Sequence, residues 1–551
     1  MMNFRQYNNA TKIVIPNGVT LSNNIAYRTF YNMHNLSYVE MPDSIDKLCE
    51  TFLRCTNLTS AICGNNVTNM DSTYSGCTNL ITPACGDSVI TMNFTYRNCT
   101  NLTSAVCGDS VTNMNCTYAN CTNITEAVFG KNVKYVRGAY QGTGVKKPVY
   151  LNNVDTIDNL YYNCKNLEYA ICWDNVVSMR STYASTPITS AVCGNNVVDM
   201  GGAYSSCDNL ITPVCGPNVQ SMSGSYSYCD NLTSSICGEN VTNMSMTYLN
   251  CHNITGDPAC GKNVVNMYST YNSCTNLTGA PVCGENVINM HSTYANCNRI
   301  TGSPVCGNLV VCFNNAYINC TNLTGSPVCG ENVTSMANTY QNCRNLTGAP
   351  ACGNNVTNMY NTYQNCINLT GAPVCGENVT NMYQTYQNCI NLTGSPACGE
   401  KVTYMNNAYR NCYNLNGSPV CGNNVIYMAG TYRNCYNLTG SPVCGNNVTS
   451  MTNAYFGCKN LASNGYFYSN NISSIRHCFG NRNTSTCLNL YLPANSTSLN
   501  TALCNNTSSM VGANITWTDD TATNGCYYNT SYNIYIYPVD DVAAAREANG
   551  D

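Results

Sequence analysis

The chain has 551 residues, a length that is usually divided among several domains, and a formal net charge of −4 at pH 7. Only 9% of its residues are charged, so the sequence provides neither the basic field that attracts nucleic acid nor an acidic tail. Its polarity comes from Asn, Thr, Ser and Gly, which suits a fibre or a surface-exposed scaffold better than a cytosolic enzyme.

The amino-terminal segment predicts neither a secretory signal nor a membrane anchor. The stretch "MMNFRQYNNATKIVIPNGVT" contains no apolar core and no cleavage site. No run in the chain approaches the roughly 18 apolar residues that a membrane span needs. Residues 1–58 carry more charge and less repetition than the rest, and we expect them to cap the array that follows, because a first repeat has one face without a neighbour.

Residues 59–458 repeat themselves with a period of 22 or 23 residues. A Cys-Gly element recurs at Cys63 and Cys85, and every step from Cys237 to Cys444 is 23 residues long. Such periods are typical of solenoids, whose units are too small to bury their apolar faces alone and therefore stack on one another. The sequence predicts a repeat solenoid of about twenty coils, with no room for a catalytic domain within it.

Each unit contains two short apolar elements. The first has apolar residues spaced i, i+3, i+7 and i+10, as on one face of about three helical turns: Val356, Met359, Tyr363 and Cys366. The second, Val374-Cys375, is extended in character, and the turn residues 376–378 return the chain to the next unit. We predict one short parallel β-strand and one short helical segment in every coil.

The repeat decays after Cys458. Residues 459–538 are predicted to form degenerate coils and a strand-rich carboxyl-terminal cap, and residues 539–551 a short helical or frayed tail. Four aromatic residues of this region could form a recognition tip, or could simply seal the end of the solenoid: Trp517, Tyr527, Tyr528 and Tyr535.

The segment "LSYVEMPDSIDKLCETFLRCTNL" at residues 36–58 resembles the BspA-like class of leucine-rich repeats, whose unit runs L-x-x-I-x-I-P-x-x-V-x-x-I-x-x-x-A-F-x-x-C-x-x. Its matching positions are Leu36, Val39, Met41, Pro42, Ile45, Leu48, Phe52 and Cys55, with one residue fewer between Leu48 and Phe52. With drift, the resemblance continues to Cys458. It implies an α/β leucine-rich-repeat-like solenoid, and it implies binding or display, since these repeats serve as adhesins, host-protein binders and phage tail or fibre components.

By this resemblance, both recurrent cysteines of a unit point into the coil. A disulfide ladder, a metal array and a row of small buried side chains are the alternatives. Phe129 replaces one partner of Cys121, and Thr186 replaces one partner of Cys193, which argues against an obligatory disulfide. Zinc-type Cys-x2-Cys clusters and paired histidines are absent from the sequence. We interpret the cysteines as buried thiols, with no metal and no cofactor: Cys329, Cys343, Cys352, Cys366, Cys375 and Cys389.

The same mapping gives two further rows. The tyrosines that recur four residues after a methionine are predicted to be core, with their phenol oxygens bound by Asn-rich turns. If the strand cysteine points inward, the preceding valine points outward, because side chains alternate along a strand. We predict self-association along this valine row, the alternative being a merely tolerated row of β-branched residues: Val282, Val305, Val328, Val374, Val420 and Val443.

No nucleophile–base pair or carboxylate dyad recurs at a plausible spacing, so we predict that the protein is not an enzyme. The first hypothesis is an extracellular binding or display solenoid, such as a phage tail fibre, a virion-surface protein or a microbial adhesin, attached to a host-surface glycan or protein. The second is a homo-oligomeric filament or scaffold. Buried thiols predict folding in a reducing cytoplasm, followed by non-classical release to the virion or cell surface. Neither nucleic-acid binding nor membrane insertion is expected.

Differences between the coils are concentrated at two places in the unit. One follows the methionine, where the triplets are "MYN", "MYQ", "MHS", "MAN" and "MNN". The other follows the inner cysteine, where they are "CRN", "CIN" and "CYN". A ligand bound to the side of the solenoid is expected at these two rows.

Overall fold

Hydrogen bonds between successive coils define the architecture of the computed structural model, which describes residues 9–17, 26–504, 509–513 and 515–551. The chain divides into two units, Met1–Val264 and Val265–Asp551. In each unit, the residue before the core methionine forms a parallel bridge with its equivalent in the next coil, as Asn69 does with Thr91 and Asn358 with Asn381. Each unit is therefore a repeat solenoid, as the sequence predicts.

The predicted core positions are confirmed. Within one coil of the second unit, the five periodic apolar side chains are completely buried: Val356, Met359, Tyr363, Cys366 and Leu369. The tyrosine rings of successive coils stack on one another, for example Tyr363 on Tyr386 with ring centroids 5.4 Å apart. In each unit, such stacking places the aromatic rings in the interior, where the removal of their surface from water stabilises the fold.

The predicted helical segment does not form: residues 26–458 contain no α-helix. The amide of Met359 donates to the carbonyl of Asn381 in the next coil (2.8 Å), whereas the amide of Thr362 donates to the carbonyl of Met359 three residues back (3.2 Å). Because alternate amides bond to the neighbouring coil, an i→i−4 helical ladder cannot form.

Two residues of each turn run also prevent a helix. Asn361 and Asn365 have φ angles of 53° and 64°, in the left-handed region that costs most side chains energy and that Gly and Asn tolerate best. The equivalent residues of the other coils are mostly Asn, Ser or Gly, as at Ser72 and Gly76. The apolar spacing resembles that of a helix, but the backbone that carries it is a series of turns.

The predicted strand is also replaced in most coils. The backbone amide of Val374 donates to the hydroxyl of Tyr386 (3.1 Å), and the same hydroxyl donates to the carbonyl of Val374 (2.6 Å). With both polar groups of the valine bound by a side chain, no ladder forms there between coils. The phenol oxygens thus bind the valine backbone and not the Asn-rich turns, contrary to our expectation.

The amino-terminal unit begins with a two-stranded parallel sheet. Strand β1 (Lys12–Val14) pairs with β2 (Tyr38–Glu40), so that Ile13 lies opposite Val39. Residues 1–8 and 18–25 of the predicted cap lie outside the described residues. No helix among the residues that the structure describes is long and apolar enough to cross a lipid bilayer.

The carboxyl-terminal unit ends in a six-stranded sheet. Its strands are β3 (Val443–Cys444), β4 (Asn464–Phe467), β5 (Leu488–Pro493), β6 (Thr518–Asp520), β7 (Cys526–Asn529) and β8 (Ile534–Val539). They lie in the order β3-β4-β5-β8-β7-β6, in which β6, β7 and β8 are antiparallel and the other pairs parallel. Helix α1 (Thr497–Ala502) follows β5 and helix α2 (Val542–Ala548) follows β8. The side chains of Ser496 and Asp541 cap their first turns.

Candidate functional site

The six cysteines predicted to be buried fall into two rows. The inner row, Cys343, Cys366 and Cys389, is completely buried. Each thiol of this row donates to a tyrosine carbonyl of the preceding coil at 3.0 Å, as Cys366 does to Tyr340. Desolvation raises the pKa of the Cys366 thiol well above its ordinary value, which keeps the S–H donor in place.

The outer row, Cys329, Cys352 and Cys375, is only half-buried, and here the prediction of a buried ladder needs correction. These thiols lie at the Cys-Gly turn, where the sulfur of Cys329 accepts from the amide of Gly353 in the next coil (3.2 Å). The sulfur of Cys352 lies 3.6 Å from that of Met359. Burial raises the pKa of Cys329 to about 11 and that of Cys375 to about 12.

Thr186, which takes the place of an inner-row cysteine, is also a hydrogen-bond donor. The buried hydroxyl of Thr186 donates to the carbonyl of Tyr183 at 2.6 Å. No cysteine of the described residues forms a disulfide, and His, Cys, Asp and Glu side chains there form no group of three that could hold a metal ion.

The predicted valine row is less exposed than an open apolar stripe. Five of its members are half-buried: Val282, Val305, Val328, Val374 and Val420. Val443 is only 8% exposed, because β3 pairs with β4 and Val443 lies opposite Tyr466. Val443 is therefore excluded as a contact residue, whereas the other five keep a partly accessible face, so self-association along them stays a prediction.

The four aromatic residues of the predicted tip do not form one surface. Tyr528 and Tyr535 stack on neighbouring strands with ring centroids 5.9 Å apart. Tyr527 lies opposite Ile536 and points to the other face of the sheet, because successive side chains of a strand alternate. Trp517 is half-buried, and its indole nitrogen is buried without a hydrogen-bond partner among the described residues.

The two variable rows lie on the surface of the second unit, and they carry stacked tyrosine pairs whose members are exposed, except for the half-buried Tyr383. The Met-following row contains Tyr360 and Tyr383, whose ring centroids are 5.2 Å apart. The Cys-following row contains Tyr413 and Tyr436, which are 36% and 37% exposed and stack at 5.0 Å. These rows are where we expect a lateral ligand.

A third exposed pair was not predicted. Tyr404 and Tyr427 precede the core methionine, have ring centroids 5.3 Å apart and are 46% and 41% exposed. The sequence contains a signal for this pair, since it holds tyrosines that lie outside the Met-x3-Tyr spacing of the buried stack.

Comparison with known proteins gives a family match over nearly the first half of the chain. The model of the BspA type leucine-rich repeat region matches in six copies, over residues 2–93, 90–211 and 136–255. No curated protein matches the sequence.

Several solved structures are similar to the chain. A leucine-rich cell surface protein from Faecalibacterium prausnitzii is 15% identical over 49% of this chain and 87% of its own, with a TM-score of 0.30. A leucine-rich repeat protein from Bacteroides ovatus is 11% identical over 88% of this chain and 87% of its own, with a TM-score of 0.25. The functional domain of InlJ from Listeria monocytogenes is 11% identical over 88% and 80%, with a TM-score of 0.15.

Proposed function

We propose that this chain, whose residues 2–255 match the BspA type leucine-rich repeat model in six copies, is a non-catalytic binding or display solenoid, carried on a virion or a microbial cell, that attaches to a host-surface glycan or protein. One observation carries the proposal: neighbouring coils present exposed tyrosine pairs although the solenoid has a buried tyrosine stack. Exposed aromatic side chains of this kind are enriched in binding surfaces, where they contribute much of the affinity.

The use of the polar side chains supports a non-catalytic role. In the second unit, amides of successive coils bond in a ladder, as Asn365 does to Asn342 and Asn388 does to Asn365, both at 2.6 Å. Core phenols bind the valine backbone, and inner thiols bind tyrosine carbonyls. These phenols and thiols, which could otherwise act as nucleophiles or bases, are thereby committed to structure.

The thiols support a virion or phage tail-fibre version of the proposal. A row of S–H donors to backbone carbonyls requires reduced sulfur during folding, which a cytoplasm provides. A virion protein folds there and reaches the outside when the host lyses, so that its surface can serve in extracellular attachment.

The experiment that tests the proposal combines imaging with cell binding. Native particles or cells that produce the chain are labelled with an antibody against it and examined by electron microscopy, and the purified chain is titrated onto intact host cells. We expect label on the particle or cell surface and saturable binding. Label confined to the interior of the producing cell, together with no binding, would contradict the proposal.

A filament or scaffold is the second candidate, and the half-exposed valine row favours it. Sedimentation at micromolar concentration is expected to give a homo-oligomer that Val374→Thr with Val420→Thr dissociates. Ile367→Thr with Ile390→Thr removes comparable apolar surface from the Cys-following row and serves as the control. A monomeric wild-type chain at this concentration would exclude the filament.

A further inference from the structure

On the premise that the chain binds a host surface, we propose that one edge of the second unit, formed around Arg410 and Arg433, binds an anionic polysaccharide that carries sulfate or carboxylate groups. We call this edge the arginine edge. It comprises Arg410, Arg433 and Lys459 with Tyr413 and Tyr436.

Charge in the second unit is segregated along the sequence. Residues 265–400 contain four acidic residues, all exposed at the Cys-Gly turn: Glu285, Glu331, Glu377 and Glu400. From Lys401 to Thr518 the sequence contains no aspartate or glutamate but six basic residues: Lys401, Arg410, Arg433, Lys459, Arg476 and Arg482. The arginine edge therefore lies in a segment that supplies no counter-charge of its own.

Arg410 and Arg433 occupy equivalent positions in adjacent coils. Each follows the core tyrosine of its coil, and the amide of Asn411 donates to the carbonyl of Arg433 at 2.8 Å. Both side chains are half-buried, and neither forms an ion pair within the described residues. Two like charges in neighbouring coils repel each other, and an anion placed between them would relieve that repulsion.

The hydrogen-bonding capacity of the row changes at Arg410. In the three preceding coils the same position holds Gln341, Gln364 and Gln387, whose side-chain amides bond to one another. Glutamine can both donate and accept, whereas guanidinium only donates. The Nε atoms of Arg410 and Arg433 are buried and have no partner among the described residues. Because a buried Nε cannot reach a ligand, the edge offers an outside acceptor the other guanidinium N–H groups of these two half-buried side chains. The guanidinium of Arg433 also lies over the ring of Phe456, with its Cζ 5.0 Å from the ring centroid.

The same coils carry aromatic rings three residues after each arginine. Tyr413 follows Arg410 by three residues, and its ring stacks on that of Tyr436 with an interplanar angle of 6°. The Nζ atom of Lys459 lies 5.5 Å from the centroid of the Tyr436 ring. The edge thus offers cations for acidic groups together with phenol hydroxyls and ring edges for a hydroxylated chain.

The ring geometry favours a polysaccharide over a nucleic acid. Proteins that bind single-stranded nucleic acid stack bases on open aromatic faces. Tyr413 and Tyr436 stack on each other, so each ring has one of its two faces occupied by the other, and Lys459 lies over the ring of Tyr436.

The test uses residues that the solenoid already accepts at these positions. Arg410→Gln with Arg433→Gln extends the glutamine row, and Tyr413→Ile with Tyr436→Ile reproduces Ile367 and Ile390 of the preceding coils. Lys401→Gln removes a charge beside Glu400 and is the matched control. Binding of the purified full chain to heparin, to polygalacturonate and to neutral dextran is measured by isothermal titration calorimetry.

We expect wild-type chain to bind heparin, polygalacturonate or both, and not dextran; the polymer that binds identifies sulfate or carboxylate as the preferred group. The arginine variant should bind at least tenfold more weakly and the tyrosine variant several-fold more weakly, with the Lys401→Gln control within twofold. Loss of affinity with rising salt is also expected, and it checks the ionic contact in the wild-type chain if a variant fails to fold.

Binding that survives both arginine substitutions, no binding to either anionic polysaccharide, or tighter binding to double-stranded DNA would overturn the proposal. Binding to host cells distinguishes a failure of the arginine-edge proposal from a failure of the proposed function. If cells bind wild-type and arginine variant equally, the arginine edge is refuted and surface attachment stands. If heparin binding depends on the arginines but no host cell binds, the edge is supported and surface attachment is refuted.

Discussion

At the scale of single residues, the core tyrosine explains why the Cys-Gly segment needs no sheet partner. Its ring is buried in the stack, while its hydroxyl binds the amide and the carbonyl of a valine twelve residues earlier in the same coil, as in Tyr386 and Val374. Backbone groups away from water must find partners, and here one side chain satisfies two of them.

Replacing Tyr386 by phenylalanine tests this role. The ring stack is kept, but the amide and carbonyl of Val374 lose their partner, which we expect to lower the free energy of unfolding by about 1–3 kcal/mol. The measurements are urea denaturation and hydrogen exchange at the Val374 amide. Tyr404→Phe removes an exposed hydroxyl and should change stability by less than about 0.5 kcal/mol. Equal effects of the two substitutions would contradict the assignment.

The buried thiols and phenols predict a pH dependence. Desolvation raises the pKa of Cys329 to about 11 and of Cys375 to about 12, and it raises the pKa of Tyr386 well above its ordinary value. In the unfolded chain these groups titrate near about 8.5 for thiols and about 10 for phenols. Above pH 8.5 the unfolded state therefore binds fewer protons than the folded state, and stability falls as pH rises.

Urea denaturation between pH 7 and pH 10.5 measures this effect. The midpoint should be constant, as far as these groups contribute, below about pH 8.5 and should then decrease, steeply once phenols also titrate. An unchanged midpoint at pH 10.5 would mean that the thiols and phenols are not desolvated in the folded chain. Reductant is kept present throughout, so that oxidation of thiolates does not imitate the loss of stability.

At the scale of the coil, left-handed residues determine the local structure. Asn365 adopts φ of 64° and also bonds through its side-chain amide to Asn342 and Asn388. Its position therefore requires both a backbone conformation that few residues tolerate and an amide that continues the ladder. Glycine meets only the first requirement, and a β-branched residue meets neither.

Two substitutions at Asn365 separate these contributions. Asn365→Val forces a β-branched residue into the left-handed region and should be more destabilising than Asn365→Gly by about 1–2 kcal/mol. Asn365→Gly loses only the two ladder bonds. Both are measured by urea denaturation against wild type. If valine were tolerated as well as glycine, the turn run would have to adopt another conformation.

The sequence predicts the core of this coil well and its backbone poorly. Periodicity identifies Val356, Met359 and Tyr363 as buried, because residues at this spacing face the core in any of the backbone conformations that the segment could adopt. It cannot distinguish helix from turns, since both bring positions i, i+3 and i+7 to one side. Asn or Gly two residues before and after the tyrosine was the available signal for turns.

The sequence does not predict the arginine edge, because that edge depends on which rows become neighbours in adjacent coils.

At the scale of the whole molecule, each unit is stabilised by contacts between adjacent coils, and the period of the sequence is the period of those contacts. In the second unit, the amide of Asn365 bonds to the carbonyl of Gln387 and the amide of Asn388 to that of Arg410, each at 2.8 Å. Every coil between Cys237 and Cys444 has the same length. A whole coil is therefore interchangeable with its neighbours, whereas part of one is not.

Deletion of residues 367–389 removes one full period and joins Cys366 to Ile390, which recreates the natural "CINLTG" junction. We expect the shortened chain to fold. The slope of its unfolding free energy against urea concentration, the m value, should decrease only in proportion to the surface that is lost. Deletion of residues 367–378 removes half a coil, misaligns the tyrosine stack and the Asn ladder, and should abolish cooperative unfolding of the second unit. Circular dichroism and urea denaturation distinguish the two. If both deletions fold equally well, stability does not depend on coil register, and the nearest-neighbour description of this solenoid is wrong.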